Sequence, residues 1–290
     1  MARRVQRNRD TDWLSRILLL IVRVIMIVYA VIVIFPMLWT IMSSFKETGE
    51  FYRDVWALPQ SLKVGFQNYV NAWHLAEIGR NILNSVLCVG VSLVVNVLIC
   101  TMTAYAITRY KFRGSGLLAK IFIAGQFVPL VLGTIPTFFI LIRTGLYDSY
   151  TGLILVYIAY SIPFSVFIMM GIFETIPSTF AEAAALDGCG HFRTFWHIML
   201  PLSKSGLITI SIFHFLWTWN DCIYAMTYVT SPAKRTLSVG LVKLTSMATF
   251  RTDWGALFAG LVIVMLPSIL IYAIFQSQLQ KGLTAGGIKG

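Results

Sequence analysis

Long continuous runs of apolar residues, separated by short polar segments, dominate the hydropathy pattern of this 290-residue chain. Each run reaches the roughly 20 residues that a helix needs to cross the hydrocarbon core of a bilayer. The runs are continuous and do not alternate with polar residues, which excludes a membrane β-barrel. The pattern therefore predicts an all-α, polytopic membrane protein. Its six predicted spans are Val24–Ser44, Ile82–Tyr105, Leu117–Ile142, Tyr150–Phe173, Leu207–Val229 and Trp254–Phe275.

Four of these spans contain proline, which has no backbone N–H and disturbs the helix around it. Proline at membrane depth predicts kinks whose free backbone groups are satisfied by neighbouring helices. The simplest explanation for each single proline is the geometry of the bundle. The prolines are Pro36, Pro129, Pro136, Pro163 and Pro267.

One polar interruption, residues 175–207, has helical order of its own. Ile176-Pro177-Ser178-Thr179 is typical of a helix start, with proline near the first helical position. Thr179 and Glu182 fit the spacing of a capping box. We expect this first helix to end at Gly188, because glycine adopts the left-handed conformation at little cost.

A second short helix is expected after this glycine, from about His191 to Met199. Leu200-Pro201 is expected to break it, since proline cannot continue a helix without losing a hydrogen bond. Two short helices joined by a glycine turn would form a protrusion between two spans. Such a protrusion suggests a docking site for a partner protein.

The loop resembles the EAA loop of binding-protein-dependent ABC importer permeases. The resemblance rests on Glu182-Ala183-Ala184, Asp187-Gly188 and Ile198-x-Leu200-Pro201 with their spacing. Cys189 stands where alanine is usual, and Ser205 stands where a second proline is common. Taken alone, Glu182 is explained equally well as a cap of its own helix. The resemblance implies an ATPase-coupling role for Glu182, Ala183, Ala184, Asp187, Gly188, Ile198, Leu200 and Pro201.

Composition agrees with a membrane protein, since 57% of the residues are hydrophobic and only 12% are charged. The net charge of +11 invites a nucleic-acid interpretation, but basic residues that flank membrane spans explain it. The four cysteines have no metal-type spacing. The sequence contains no phosphate-binding loop, zinc-protease motif or G-x-S-x-G motif, so we expect neither catalysis nor a bound cofactor or metal.

Basic residues also predict the topology, because short cytoplasmic loops are enriched in Lys and Arg. Residues 1–23 carry six arginines and residues 109–113 carry three basic residues, so both segments are assigned to the cytoplasm. The predicted outer loop, residues 230–253, departs from this bias with four basic residues. Six spans then place both termini and the 175–207 loop inside. The predicted organisation is a cytoplasmic segment 1–23, a membrane domain 24–275 that includes the loop, and a cytoplasmic tail 276–290.

Polar residues recur along one face of the fifth predicted span. Ser211, His214, Thr218 and Asp221 are spaced as i, i+3, i+7 and i+10, and Asn220 lies beside them. These residues are candidates either for the wall of a translocation path or for hydrogen bonds between helices. The segment Trp217-Thr218-Trp219-Asn220-Asp221 resembles the W-N-D segment of sugar permeases in the same family.

The C-terminal residues 280–290 are rich in glycine, which predicts a flexible tail. The tail closely resembles that of the maltose-type permease subunit. The resemblance implies that it enters the seam between two docked ATPase subunits, and the alternative is an inert terminus. The tail residues concerned are Leu283, Thr284, Gly286 and Gly287.

Together these features predict a type I ABC importer permease of the carbohydrate-uptake branch in a bacterial inner membrane. The resemblance implies a homologous second permease, two cytoplasmic ATPase subunits that bind ATP and magnesium, and an extracytoplasmic binding protein that delivers a di- or oligosaccharide. Three alternatives remain at this point. One is a carrier driven by an ion gradient, with His214 and Asp221 as a proton site. The second is an ABC importer of a non-sugar solute such as a glycerophosphate. The third is an intramembrane enzyme, for which the sequence shows no recognisable nucleophile–base or metal pair.

Overall fold

The structure, a computed structural model, describes residues 9–242 and 253–287, and the regular elements in those ranges are all helical. The arginines at positions 3, 4 and 7, the basic residues at 243 and 251, and the last three residues of the tail lie outside the described ranges. The helices are α1 (Arg9–Ser43), α2 (Thr48–Arg53), α3 (Leu62–Leu75), α4 (Ile78–Arg109), α5 (Ser115–Gly125), α6 (Thr134–Arg143), α7 (Tyr150–Thr175), α8 (Thr179–Leu186), α9 (His191–Thr194), α10 (Leu200–Leu202), α11 (Lys204–Trp219), α12 (Ile223–Tyr228), α13 (residues 237–242) and α14 (Trp254–Gly287).

Four of the described helices, α1, α4, α7 and α14, are long and apolar enough to cross a membrane. Two further pairs meet the same length and composition test but are sharply bent. They are Ser115–Gly125 with Leu130–Arg143, bent by 97°, and His191–Leu202 with Lys204–Trp219, bent by 76°. Counting each bent pair as one crossing gives six, the number that the apolar runs predict.

The third predicted span, Leu117–Ile142, is therefore not the single helix that its apolar run suggested. α5 ends at Gly125, and a short 3-10 turn at Leu130–Gly133 precedes α6. Pro129 stands at this break with an extended backbone (ψ 113°) and offers no N–H to continue a helix. Pro136 is accommodated in the first turn of α6, where backbone N–H groups have no partner within the helix.

The prediction of one helix over Leu207–Val229 is also wrong, because α11 ends at Trp219 and α12 begins at Ile223. Asp221 explains the break. Its carboxylate accepts hydrogen bonds from the backbone N–H groups of Tyr224 (3.1 Å) and Ala225 (2.9 Å), so it caps the start of α12.

The core forms where α4 packs along α7, with α11 and α14 against the pair. Buried side chains collect in clusters at these contacts, and the largest fully buried one is Tyr157. Pro163 and Pro267 lie inside α7 and α14, and Pro36 lies inside α1. α1 stands apart from the core, since the apolar window of its span has no residue buried by the rest of the chain.

The segment between α1 and α4 folds against α14 and is held by two polar side chains. Lys46 is fully buried, and its ammonium group donates to the carbonyl oxygen of Val55 at 2.6 Å. Asn68, on α3, donates to the carbonyl oxygens of Ser44 (2.9 Å) and Lys46 (2.8 Å). Gly255 of α14 allows this close packing, because a Cβ there would lie 2.3 Å from the Asn68 amide nitrogen.

Asp148 ties the loop before α7 to the loop after α12. Its carboxylate accepts hydrogen bonds from the backbone N–H groups of Thr230 (3.0 Å) and Ser231 (2.9 Å), and it also pairs with Lys234. Burial opposes ionisation, but these donors outweigh it and lower the pKa of Asp148 to about 2. We call this arrangement the Asp148 clasp.

Candidate functional site

The loop between α7 and α11, residues 175–207, folds as the predicted helix-turn-helix. α8 begins after Ser178 and is rich in alanine, the strongest helix former. Gly188 has φ +78°, which confirms the expectation that this position requires a left-handed backbone. The Cys189 N–H donates to the Ala184 carbonyl across this turn at 2.9 Å, as in a Schellman motif.

Two details of this loop differ from the sequence predictions. The capping box expected at Thr179 and Glu182 does not form, because Ser178 is the N-cap residue and no side chain caps the helix. The second helix does not stop at Leu200-Pro201, since a π-helical turn, Phe195–Met199, carries the chain into α10. A new helical segment starts after the wider π turn, and Pro201 is among its first residues. A proline there loses no hydrogen bond, because the first N–H groups of a helix have no partner within it. The chain then bends at Ser203.

The loop has an inner face that joins the core and an outer face that remains exposed. Ala184 and Met199 are buried, and Ile198 and Leu200 pack at the edge of the same core. Leu186, at the tip of α8, is 90% exposed. Other large apolar side chains of the loop are exposed as well. They are Phe180, Phe192 and Trp196.

The predicted coupling residues fall on both faces. Glu182, Ala183, Asp187, Gly188 and Pro201 are exposed. The Glu182 side chain has no hydrogen bond or ion pair with the described residues, so its carboxylate is available to a partner. Behind α8, a cavity of about 260 Å³ separates that helix from the end of α4. Its lining includes Glu182, Ser178 and Ala185 of the loop and Tyr105 and Arg109 of α4.

The polar residues of α11 are placed mainly inside the bundle. His214 is 3% exposed, and its two ring nitrogens each lie 2.9 Å from a serine hydroxyl, Ser92 on α4 and Ser161 on α7. Thr218 is buried and donates to the His214 carbonyl oxygen (2.7 Å). Asp221 is also buried, and its carboxylate accepts a hydrogen bond from the Tyr157 hydroxyl.

Ser211 and Asn220 lie elsewhere on α11 and at its end. The Ser211 hydroxyl donates to the Leu207 carbonyl of its own helix at 2.7 Å. Asn220 is exposed and reaches α14, where its amide donates to the Ser268 hydroxyl at 3.0 Å. The predicted face is thus divided between contacts with α4, α7 and α14. Hydrogen bonds between helices account for much of its polarity.

A second cavity, of about 210 Å³, opens between α7 and α11 beside the bend of the third span. Among the residues predicted for a path, only His214 lines it. Aromatic rings form its walls, and three polar side chains interrupt them. We call it the aromatic cavity. Its lining residues are Leu130, Tyr160, Ser161, Phe164, Ser165, Phe213, His214 and Trp217.

Sequence reasoning missed the contribution of α7 to this cavity. A signal was present, because Tyr160-Ser161 and Phe164-Ser165 repeat an aromatic–serine pair at i and i+4 within an apolar run. Such a repeat presents both pairs on one face of a helix. The polar pattern of the fifth span drew attention to α11 alone.

The tail differs from the flexible segment that its glycines suggested. The backbone of α14 stays helical through Gly287, so Leu283, Thr284, Gly286 and Gly287 extend the last helix. Adding residues to a helix that already exists needs no new nucleation, which favours this continuation. Within residues 9–242 and 253–287, no group of three His, Cys, Asp or Glu side chains could hold a metal ion.

Comparison with known sequences relates most of the chain to one family. Residues 96–285 match the family described as "Binding-protein-dependent transport system inner membrane component". The diacetylchitobiose uptake system permease protein NgcG of Streptomyces coelicolor is 38% identical over 90% of this chain and 86% of its own length. The trehalose transport system permease protein SugB of Mycobacterium tuberculosis is 30% identical over 88% of this chain and 92% of its own length.

A solved structure shares the fold. The crystal structure of a bacterial ABC transporter involved in the import of the acidic polysaccharide alginate contains a chain that superposes with a TM-score of 0.79. The alignment covers 91% of this chain and 96% of the other, at 22% sequence identity.

Proposed function

The chain belongs to the family of binding-protein-dependent transport system inner membrane components, and on that premise we propose that it is a membrane-spanning subunit of an ATP-driven importer of a di- or oligosaccharide. Relatives named for diacetylchitobiose and trehalose transport support the carbohydrate class. The sequence contains no phosphate-binding loop, so ATP and magnesium would bind to a separate ATPase. This chain would carry out no covalent chemistry.

The exposed outer face of the 175–207 loop is the observation that carries the coupling part of the proposal. Leu186, at the tip of α8, is 90% exposed and could insert into an apolar groove on an ATPase subunit. The exposed carboxylate of Glu182 could pair with a basic group at the edge of that groove. Two such ATPase subunits would bind this loop and its counterpart on a homologous second permease. Movement of the ATPase dimer would then reach the bundle mechanically.

The aromatic cavity is the part of this subunit that best suits a passing sugar. Aromatic rings such as Trp217 and Phe164 can stack on the C–H face of a sugar ring. The hydroxyl groups of Ser161 and Ser165 are held by His214 and Asn96 on neighbouring helices, and their remaining lone pairs can accept from the hydroxyl groups of a sugar. The other residues predicted for a path would not line the cavity but would help to hold α11 in place. They are Ser211, Thr218, Asn220 and Asp221.

We further propose an inner-membrane location with both termini in the cytoplasm, and an extracytoplasmic binding protein as the donor of substrate. The basic N-terminal segment and the 109–113 loop support this orientation. The last turns of α14, including Leu283 and Gly287, would lie on the same side as α8. Their small residues suit the seam between the two ATPase subunits.

The decisive experiment is uptake of radiolabelled diacetylchitobiose into proteoliposomes that contain both permeases, the ATPase and the binding protein. We expect uptake that requires internal ATP and survives collapse of the proton gradient. Uptake that ignores ATP and follows the proton gradient would identify a gradient-driven carrier instead. Competition by glycerol 3-phosphate, but not by trehalose or other oligosaccharides, would contradict the carbohydrate class.

A further inference from the structure

Arg109, the last residue of α4, reaches the end of α7. Its Nη2 atom donates to the carbonyl oxygen of Phe173 at 2.6 Å and also to that of Ile176. Carbonyls at a helix C-terminus have no partner within the helix, and a cation there is favoured by the helix dipole. Hydrogen bonds from a charged donor are about twice as strong as those between neutral groups. Arg109 therefore ties the ends of two core helices together.

Ile176 is the point at which α7 ends and the coupling loop begins. Its backbone is extended, with φ −82° and ψ 124°. Pro177 follows, and a proline restricts the residue before it to such extended conformations. α8 starts only two residues after Pro177. The position and direction of α8 are therefore set at the residue whose carbonyl Arg109 holds.

The 260 Å³ cavity leaves α8 without close packing on the side that faces α4. Ala181, Glu182 and Ala185 line the cavity instead of interdigitating with side chains of the core. Close-packed interfaces resist small displacements, whereas a cavity permits them. α8 can thus tilt relative to α4. We call residues 176–178, which connect α7 to α8, the root of the coupling loop, and Arg109 determines whether this root stays fixed when α8 tilts.

We propose that Arg109 is a positioning residue for energy coupling, which fixes the root of the coupling loop at Ile176. With the root fixed, a displacement of α8 is transmitted to α4 and α7 and so to the aromatic cavity between α7 and α11. Without it, residues 176–178 move independently of α4 and the displacement is lost. This inference rests on the proposed function, since it assumes that an ATPase moves α8.

The test compares three variants in the reconstituted importer: Arg109→Met, Arg109→Lys and the control Arg113→Met. Arg113 is exposed and lies in the same cytoplasmic loop. The measured quantity is the number of ATP molecules hydrolysed per sugar imported. We expect an increase of about tenfold or more for Arg109→Met, because a hydrogen bond to a charged group contributes at least one order of magnitude to an equilibrium. Lysine should restore coupling in part, and Arg113→Met should not change the ratio.

A second measurement uses the full-length permease without its partners. Spin labels at Lys111→Cys and Leu186→Cys, in a background with Cys189 and Cys222 replaced by serine, report the distance between the end of α4 and the tip of α8. We expect the distance distribution to be broader with Arg109→Lys than with Arg109, and broadest with Arg109→Met. This measurement also decides the matter if Arg109→Met fails to accumulate in the membrane.

The outcomes separate the two proposals. If the parent complex imports no sugar with ATP, the proposed function fails. If the parent complex does so and Arg109→Met keeps both its ATP-to-sugar ratio and its uptake rate, only the positioning role of Arg109 is overturned. An unchanged distance distribution in Arg109→Met, or in Arg109→Lys where the methionine variant does not accumulate, would likewise overturn it.

Discussion

The hydroxyl of Tyr157 donates to the carboxylate of Asp221 at 3.0 Å and so joins the first half of α7 to the break between α11 and α12. Both residues are buried, and Tyr157 is fully so. Asp221 also accepts the two backbone N–H groups that begin α12. One buried carboxylate therefore decides both where α11 ends and how the following helix sits against α7.

Replacing Tyr157 by phenylalanine should destabilise the permease by about 1–3 kcal/mol, because a buried carboxylate loses one of its donors. The measurement is the thermal unfolding of the purified protein in detergent. Tyr29→Phe provides a matched control, since Tyr29 is exposed on α1. An equal fall in Tm for both variants would contradict the role assigned to the buried pair.

Replacing Gly188 by alanine should distort the turn after α8 and reduce sugar uptake. Gly188 has φ +78°, and a Cβ there would meet no atom within 4 Å, so the cost arises from the backbone alone. That cost is about 1–2 kcal/mol. Asparagine at the same position should be milder, because it tolerates the left-handed region.

Gly190→Ala is the control for this experiment. Gly190 has φ −70° and equally open surroundings, so alanine fits there without strain. Uptake and co-purification of the ATPase should match those of the parent protein. Equal losses for Gly188→Ala and Gly190→Ala would show that volume, and not backbone conformation, matters in this turn.

Glu182→Ala and Leu186→Asp should both weaken binding of the ATPase while leaving the permease folded. Both side chains are exposed, and substitutions at such positions usually change stability by less than about 0.5 kcal/mol. Co-purification of the ATPase with the tagged permease measures the effect. Leu58→Asp, at a leucine that is 76% exposed in the segment before α3, should have no effect on it.

Phe164→Ala should reduce sugar uptake by about tenfold or more if the aromatic cavity contacts the sugar. Loss of a buried phenyl contact costs about 1.5–3 kcal/mol, and 1.4 kcal/mol corresponds to a factor of ten. Phe167→Ala, one turn away on the exposed side of α7, is the control. Co-purification of the ATPase should be unchanged in both. Equal uptake in the two variants would exclude the aromatic cavity from the path.

The Asp148 clasp should make stability depend on pH in the acidic range. Because the pKa of Asp148 is lowered from 3.8 to about 2, the clasp contributes fully above about pH 4 and is lost as the pH falls through about 2. The Tm difference between the parent protein and Asp148→Asn should therefore be constant above pH 5 and shrink below pH 4. A Tm difference that grows as the pH falls would contradict a stabilising role for the ionised Asp148.

Continuous apolar runs were sufficient to predict the helical class and the positions of α4, α7 and most of α14, because length and hydropathy alone decide such spans. The loop was predictable because Gly188 and the alanines of α8 act locally. Pro129 correctly indicated a kink in the third span, which is bent by 97°. The break between α11 and α12 was not predictable. Asp221 accepts hydrogen bonds from the start of α12 and from the distant Tyr157, and apolar periodicity carries no information about these contacts.

The region before α4 resisted prediction for a related reason. Its anchor is Lys46, a residue type that is almost never fully buried. The carbonyl groups of Asp54 and Val55 and the ring of Phe51, whose centroid lies 5.5 Å from the ammonium nitrogen, make that burial tolerable. The positions of these groups follow from the fold and not from local sequence. The aromatic cavity was missed because its two walls are separated along the chain, on α7 and α11.

The burial of Lys46 has a chemical consequence for anyone who labels this protein. Acylating reagents need a free, accessible amine, and the amine of Lys46 is enclosed and donates to the Val55 carbonyl. Lys111 and Lys204 are exposed and would react first. Modification at position 46 would therefore measure the fraction of molecules in which the segment between α1 and α4 has opened.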